Sequence, residues 1–554
     1  MFALKPRFCF TTDGLRDWFG QRLRHAPLPM TVEEAETWCA ELPAHDAYAA
    51  LHAIAAMLDS LTGAKNLPGS NRVAVARVID RAAAPFAAKL YADYLALLRG
   101  QATQEARLWL ALAGYWRSVE QVYASLACEL YEPEPGAGSE WLALIGHALT
   151  ALSEQAKLAR LRYCAVDARI WRELGRLIAV AETAQAGVPN SVMQAWARLF
   201  MREMASPQNL LPREIEIVDR LAMHYAAQFV CQRKASPEAG YYFDLTAGQA
   251  PSRRIPSGQL TGHSRFFSAG ETYRQAELDA HTIEQQGALD AFPALVHFAP
   301  EEVVRMLRHV ARLWSPTPPA RGQDRSEVLS RVMFVFDLNE IRRKVDKGDS
   351  IAMAIASGNR DSLEQTDLKR YGFVTERTRQ QVVEADDTLP AKDDALTESW
   401  VVRDESGGGF GADVPSHTAD WLCAGKLIGF KREGGEQWGV GVIRRVEFDS
   451  HQNGRVGIQI LSEQPRTVRL RPLCAAQLAG WDKHQEAPSY EYRNGILLSL
   501  PQGRDIGVLL LPFGTYSQEQ HFEWVHGASS DLMAVTSHAM HADEFDLLMF
   551  RLVA

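Results

Sequence analysis

The sequence has few cysteines, no excess of positive charge and no apolar run long enough to cross a membrane. Each shortage excludes a class of protein. The seven cysteines, Cys9, Cys39, Cys128, Cys164, Cys231, Cys423 and Cys474, are odd in number, widely spaced and form no C-x-x-C pair. That argues against a disulfide frame or a zinc site and predicts reduced, mostly buried thiols. Lys and Arg number 59 against 68 Asp and Glu, a net charge of −9. A general DNA or RNA binder, with its broad basic face, is therefore not expected. A small anionic ligand is not excluded, because two or three local arginines suffice for it. The N-terminal MFALKPRFCFTTDGLRDWFG has no apolar core of signal-peptide length, and no run of about eighteen apolar residues occurs elsewhere. The expectation is a cytoplasmic protein without a membrane span. Nor does any Ser-His-Asp or Cys-His arrangement stand out, so a non-enzymatic protein is expected.

What is present is an ordinary globular composition, 47% hydrophobic and 23% charged. The 554 residues suit three or four domains. Residues 1–235 read as an α-helical array of six to ten helices. In SEWLALIGHALTALSEQAKLARLRY, Trp141, Leu142, Ile145, Leu149 and Leu152 form one apolar stripe. Turns fall at TGAKNLPGSN, EPEPGAGS, AQAGVPNS and ASPQNLLP. No steady repeat period is found, and Trp109, Trp116 and Trp141 lie at helical spacing as core residues. Residues 236–318 change character. They read as an irregular or briefly extended segment, one helix (PEEVVRMLRHVARLW) and the proline-rich linker SPTPPARGQDR.

From Ser326 the signal is β. SEVLSRVMFVFDLNEIRRKV begins extended and ends as a short helix. Strands resume at SWVVR, KLIGFK, QWGVGVIRRVEF and GRVGIQIL, with a polar excursion, about 346–397, between them. This predicts a small antiparallel barrel over 319–465 carrying an insertion. In GVGVIRR, Gly439 and Gly441 alternate with Val440 and Val442, leaving one face bare as a crowded barrel interior requires. Six further strand-like runs predict a second small β domain over 466–554.

The segment ESWVVRDESGGGFGADVPS poses the functional question. A P-loop would need Gly-Lys-Ser/Thr and a helix after the glycines, but Phe410 and strand-like residues follow. What remains is D-x-S-x-x-G: Asp404, Ser406 and Gly409. A carboxylate at a strand end can accept two parallel hydrogen bonds, matching the N1-H and N2-H₂ donors of guanine. A serine two residues on shares that face, and glycine lets backbone approach closely.

On these residues the chain resembles the PilZ domains, which bind the bacterial second messenger cyclic di-GMP. Their two marks are R-x-x-x-R ahead of the barrel and (D/N)-x-S-x-x-G on a strand. RGQDR supplies Arg321 and Arg325, and DESGGG supplies Asp404, Ser406 and Gly409. GVGVIRR and VGIQIL, with Trp421, Gly425 and Leu427 ahead of them, resemble the family's later strands, so the likeness spans about 321–461. It implies that Arg321 and Arg325 grip the ligand, that Asp404 and Ser406 meet the guanine edge, and that Gly409 is the close-approach position. The 79 residues from Arg325 to Asp404 exceed the family's usual spacing, which places the polar excursion in the barrel's first connection.

Other candidates read as structural. FDLTAGQ, with Asp244, Thr246 and Gly248, nearly repeats the acid-hydroxyl-glycine theme but reads as a turn. His521, His526, His538 and His541 are scattered rather than clustered for a metal. The expected function is a cyclic di-GMP receptor with no other cofactor, passing nucleotide binding from barrel to a partner-binding helical domain. The alternative is an adaptor whose barrel binds no nucleotide.

Overall fold

The computed structural model describes residues 28–97, 102–131, 140–185, 187–236, 238–253, 260–317, 325–346, 397–415, 422–435, 437–449, 453–473, 492–500, 506–516, 521–526, 529–541 and 545–553. Arg321, Trp421 and the insertion expected at about 346–397, apart from its two end residues, fall outside them. The chain divides into two compact units, one built mainly from the residues before the first barrel and one from the barrels.

Among the described residues of the first unit, eight α-helices run from Val32 to Tyr225: α1 (Val32–Ala40), α2 (Ala47–Gly63), α3 (Gly69–Leu97), α4 (Ala102–Glu129), α5 (Glu140–Leu161), α6 (Ala168–Ala181), α7 (Asn190–Met204) and α8 (Pro212–Tyr225). Their starts follow local chemistry. The Thr31 hydroxyl accepts from Glu34 N at 3.2 Å and the Asp46 carboxylate from Ala49 N at 3.0 Å. Pro212 opens α8, where its missing N–H costs nothing. The α5 stripe read from the sequence is buried throughout. Trp109 and Trp141 are core residues, with Trp116 packed partly buried against them.

Buried charge holds the second half of α5 to its neighbours. Lys157 Nζ lies 3.0 Å from Glu154, 3.1 Å from Asp219 and 3.5 Å from Glu216. Arg202 reaches Asp219 at 2.8 Å. Burial by itself would raise the Asp219 carboxyl, but Arg198, Lys157 and Arg202 hold it well below the ordinary range.

The segment read as largely irregular is more ordered than expected. It forms a three-stranded sheet, β1 (Val230–Gln232), β2 (Tyr241–Asp244) and β3 (Ser264–Ser268), in the order β1-β3-β2. Two helices follow, α9 (Thr272–Gln286) and α10 (Pro300–Trp314). The sequence reading missed α9 because its buried stripe is Thr272, Ala276, Ala280 and Ile283. Small residues at helical spacing give little apolar signal. FDLTAGQ is a turn, with Asp244 Oδ1 accepting from Thr246 N at 2.8 Å and Gly248 at φ 64°.

The second unit holds two closed six-stranded antiparallel barrels. The first comprises β4 (Ser326–Phe336), β5 (Thr397–Ser406), β6 (Gly409–Val414), β7 (Leu427–Arg432), β8 (Gly439–Phe448) and β9 (Gly454–Ser462), ordered β4-β5-β6-β9-β8-β7. A helix over 338–346, α11, follows β4. The second barrel comprises β10 (Arg466–Leu473), β11 (Arg493–Ser499), β12 (Gly507–Pro512), β13 (His521–His526), β14 (Ser529–His541) and β15 (Phe545–Val553). Phe334, Trp400, Phe410 and Phe430 pack ring to ring in the first barrel, Phe334 and Trp400 at 4.4 Å between centroids.

The two barrels share a core. Val440 and Val442 of β8 pack with Leu427, Val335 and α11 residues Ile341 and Val345 against Ile496, Leu510 and Phe545 of the second barrel. The bare glycine face of β8 is the crowded one. A Cβ on Gly439 would collide with the Phe430 ring, and one on Gly441 would lie 3.0 Å from the Gln459 carbonyl.

The cysteines depart in part from expectation. Cys39, Cys128, Cys231 and Cys423 form no disulfide, as expected, but are partly or well exposed, and Cys164 is disulfide-bonded. Among the described residues no helix is long and apolar enough to cross a membrane.

Candidate functional site

The Asp404–Gly409 motif occupies the end of the β5–β6 hairpin. Ser406 pairs directly with Gly409, so Gly407 and Gly408 form a two-residue turn. Gly409 has no room for a side chain: a Cβ would run into the main-chain carbonyl of Ile458 on β9. The Gly408 carbonyl accepts from Ile460 N at 3.0 Å, pinning the turn to that strand. Two of the three glycines therefore turn the chain, and the third lets β6 lie close to β9. The Ser406 hydroxyl donates to the Gly409 carbonyl at 3.2 Å, bracing the turn.

Asp404 lies two residues before the turn, where the β5–β6 ladder shifts register between Val402 and Asp404. That irregularity sets it opposite Gly411, which leaves space for its carboxylate: a Cβ there would lie 2.7 Å from Oδ2. Arg325, immediately before β4, donates from Nη1 to Asp404 Oδ1. Arg455, at the start of β9, donates from Nη2 to Oδ2 at 2.8 Å. The carboxylate is 16% exposed, while the two guanidinium side chains are 47% and 61% exposed. A half-buried acid thus holds two cations whose outer faces remain exposed.

Beside this triad lies a cleft of about 520 Å³, lined by Arg325, Ser326, Glu405, Ser406, Gly407, Arg432 and Glu463. Arg432, ending β7, bridges Glu405 at 2.6 Å and Glu463 at 3.0 Å. Among the described residues three arginines and three carboxylates meet here, so their charges balance. A guanidinium fork engaging phosphate or a guanine edge in the cleft would exchange one two-pronged acceptor for another.

Of the residues named from the sequence, Arg325, Asp404, Ser406 and Gly409 are brought together, and Arg321 lies outside the described residues. Arg432, Arg455, Glu405 and Glu463 were not anticipated. Each lies at or within one residue of a strand end, which is a visible signal. Assigning them to this site required the strand order, which puts β9 next to β6 and β7 next to β4. Among the described residues no His, Cys, Asp and Glu group is arranged to hold a metal ion.

Residues 33–237 match the family model described as the cyclic-di-GMP receptor FimW, N-terminal domain. Residues 336–466 match the one described as the cyclic-di-GMP receptor FimW, middle PilZ domain. Together the two spans take in more than half of the chain, in one order. Over these two spans the chain resembles this family of PilZ-containing cyclic-di-GMP receptors. No curated protein and no solved structure matches it. The first barrel is thus a PilZ barrel, and its matched span includes Asp404, Ser406, Gly409, Arg432, Arg455 and Glu463. Arg321 and Arg325 precede that span, and the second barrel lies beyond it.

Proposed function

We propose that this chain is itself a cyclic di-GMP receptor, binding the nucleotide in the cleft beside Arg325 and Asp404 and relaying that event to a partner held by the helical unit. The observation that carries the reading is the meeting of Arg325 with Asp404 across 79 residues of sequence. The ion pair sits beside Ser406 and the glycine turn. Arg321 and Arg325 take the phosphates and the purine face, Asp404 and Ser406 take the guanine edge, and Gly409 keeps the hairpin close-packed. The arginines supply positive charge locally, so the net acidity of the chain is no obstacle. Arg325 precedes β4 directly, so a ligand that draws it away from Asp404 also pulls on the segment leading into the barrel.

Calorimetric titration of the purified chain with cyclic di-GMP, cyclic di-AMP and GTP tests this. Cyclic di-GMP is expected to bind at least tenfold more tightly than the other two: an adenine edge leaves Asp404 without its donors, a loss of about 1–3 kcal/mol, and GTP brings one guanine and no cyclic diphosphate backbone. Equal affinity for the adenine dinucleotide would contradict the guanine assignment. The second reading is an adaptor whose barrel binds no nucleotide. It is favoured by the mutual neutralisation of the cleft's charges, an arrangement a purely structural barrel would also keep. Absence of any heat with cyclic di-GMP would support it.

A further inference from the structure

The helical unit carries an unfilled trough. Helices α3 and α5 run parallel on either side of α4: Arg77 of α3 meets Glu140 of α5 at 2.9 Å, and Lys157 of α5 lies 4.4 Å from the Tyr91 ring of α3. Helix α4 runs the opposite way beneath them. Its Trp116 carbonyl accepts from Gln155 at 3.3 Å and its Tyr123 stacks on His147 at 4.7 Å. The trough has a volume of about 630 Å³. Its lining runs from Arg77 to Tyr91 along α3, four turns or about 21 Å. Ala84, Ala87 and Ala88 form the middle of that wall, and Trp116 and Val119 form the floor. Small residues on a wall allow another backbone to approach closely.

At one end stands Asp80. Its carboxylate accepts from the Tyr115 hydroxyl at 2.7 Å and the Tyr123 hydroxyl at 3.2 Å. Among the described residues no cation pairs with it. The surrounding acids differ in this respect. Glu154 and Asp219 have Lys157 and Arg198, Glu216 has Lys157 and Arg220, and Glu120 has Arg169. Of the cations lining the trough, Arg77 is taken by Glu140 and Arg81 is exposed at the rim. A group that covers the trough desolvates Asp80 as well, and a positive charge on it, placed against Asp80, would offset that loss. A small aromatic-caged cation fits poorly, because Tyr115 and Tyr123 are buried and one face of Tyr91 is taken by Lys157.

We infer that the α3–α4–α5 trough is the docking site for an amphipathic helix of a partner protein, about four turns long, with a lysine or arginine placed against Asp80. The inference rests on the proposed partner-binding role of the helical unit and is independent of nucleotide binding at the barrel.

The test uses the full chain and two labelled 18-residue leucine-faced helical peptides, one with a lysine polar face and one with a glutamate polar face, read by fluorescence anisotropy. The lysine peptide is expected to bind and the glutamate peptide not. Asp80→Asn, which removes the charge, keeps one acceptor for Tyr115 and turns an amide donor to the Tyr123 oxygen, should weaken binding about tenfold or more. Ala88→Trp should block it while leaving the circular dichroism unchanged, since Ala88 is exposed. Cyclic di-GMP titrations of both variants should match the unaltered chain, which separates failure here from failure of the nucleotide reading. Equal binding of the two peptides, no binding of either, or indifference to both substitutions would overturn the inference. So would a change in oligomeric state on Ala88→Trp without loss of peptide, which would assign the trough to a second copy of the chain.

Discussion

Gly409 and Gly411, two residues apart on β6, are glycines for different reasons, and the difference separates fold from binding. A methyl on Gly409 meets the Ile458 carbonyl, which is main chain in a paired strand and cannot move away. Gly409→Ala should therefore cost about 1–3 kcal/mol of stability, read as a lowered denaturant midpoint. A methyl on Gly411 meets only the end of the Asp404 side chain. Gly411→Ala should leave the midpoint nearly unchanged, yet turn the carboxylate from Arg325 and weaken cyclic di-GMP binding about tenfold. If Gly411→Ala bound normally, Asp404 would not be a ligand contact. The D-x-S-x-x-G motif was legible in the sequence because it is local: six consecutive residues form the end of one hairpin. Arg455 and Arg432 were not legible as site residues, since their places depend on strand order rather than on anything near them in the chain.

Elements were legible where their apolar pattern was strong. Helix α5 announced itself through Trp141, Ile145 and Leu149, and the six runs of the second barrel became six strands. Helix α9 did not, because alanines and a threonine make up most of its buried side. The glycines of β8 marked a crowded face correctly. The role of Val440 and Val442 could not be read, since a strand buried on both faces looks the same whether its second face meets solvent-side loops or another barrel. At this scale α5 also carries Lys157, ringed by Glu154, Glu216 and Asp219. Lys157→Ala would leave these buried carboxylates short of a cation, so the helical unit should lose about 3–5 kcal/mol. Urea unfolding followed by tryptophan fluorescence checks this. A loss below about 1 kcal/mol would mean that Arg198 and Arg202 suffice alone.

Over the whole molecule, the long polar stretch between β4 and β5 is the main departure from a minimal barrel. The β4–β5 ladder closes with Val335 opposite Thr397, and α11, which precedes the stretch, buries Ile341 and Val345 in the core shared by the barrels. Replacing residues 347–396 with a short Gly-Ser linker should therefore leave the thermal midpoint nearly unchanged, loop closure varying by only about 0.6 kcal/mol per doubling of length. A replacement that removed residues from α11 should instead destabilise both barrels together. An insoluble 347–396 replacement would show that the stretch packs as part of the fold.

In the function proposed above, an arginine from before the PilZ barrel and an acid from its second strand make one nucleotide site. Calorimetric titration of cyclic di-GMP into the unaltered chain, Arg321→Ala, Arg325→Ala, Arg325→Lys and the control Arg343→Ala tests it most directly. Arg343 pairs with Glu340 on α11, away from the cleft lining. Arg321→Ala and Arg325→Ala should each weaken binding by about 1–3 kcal/mol, roughly tenfold to a hundredfold. Arg325→Lys should not restore it, because a point charge cannot reproduce a two-pronged contact. Arg343→Ala should change affinity by less than about 0.5 kcal/mol. Full affinity in Arg325→Ala, or loss in Arg343→Ala alone, would contradict the claim and move the nucleotide elsewhere in the molecule.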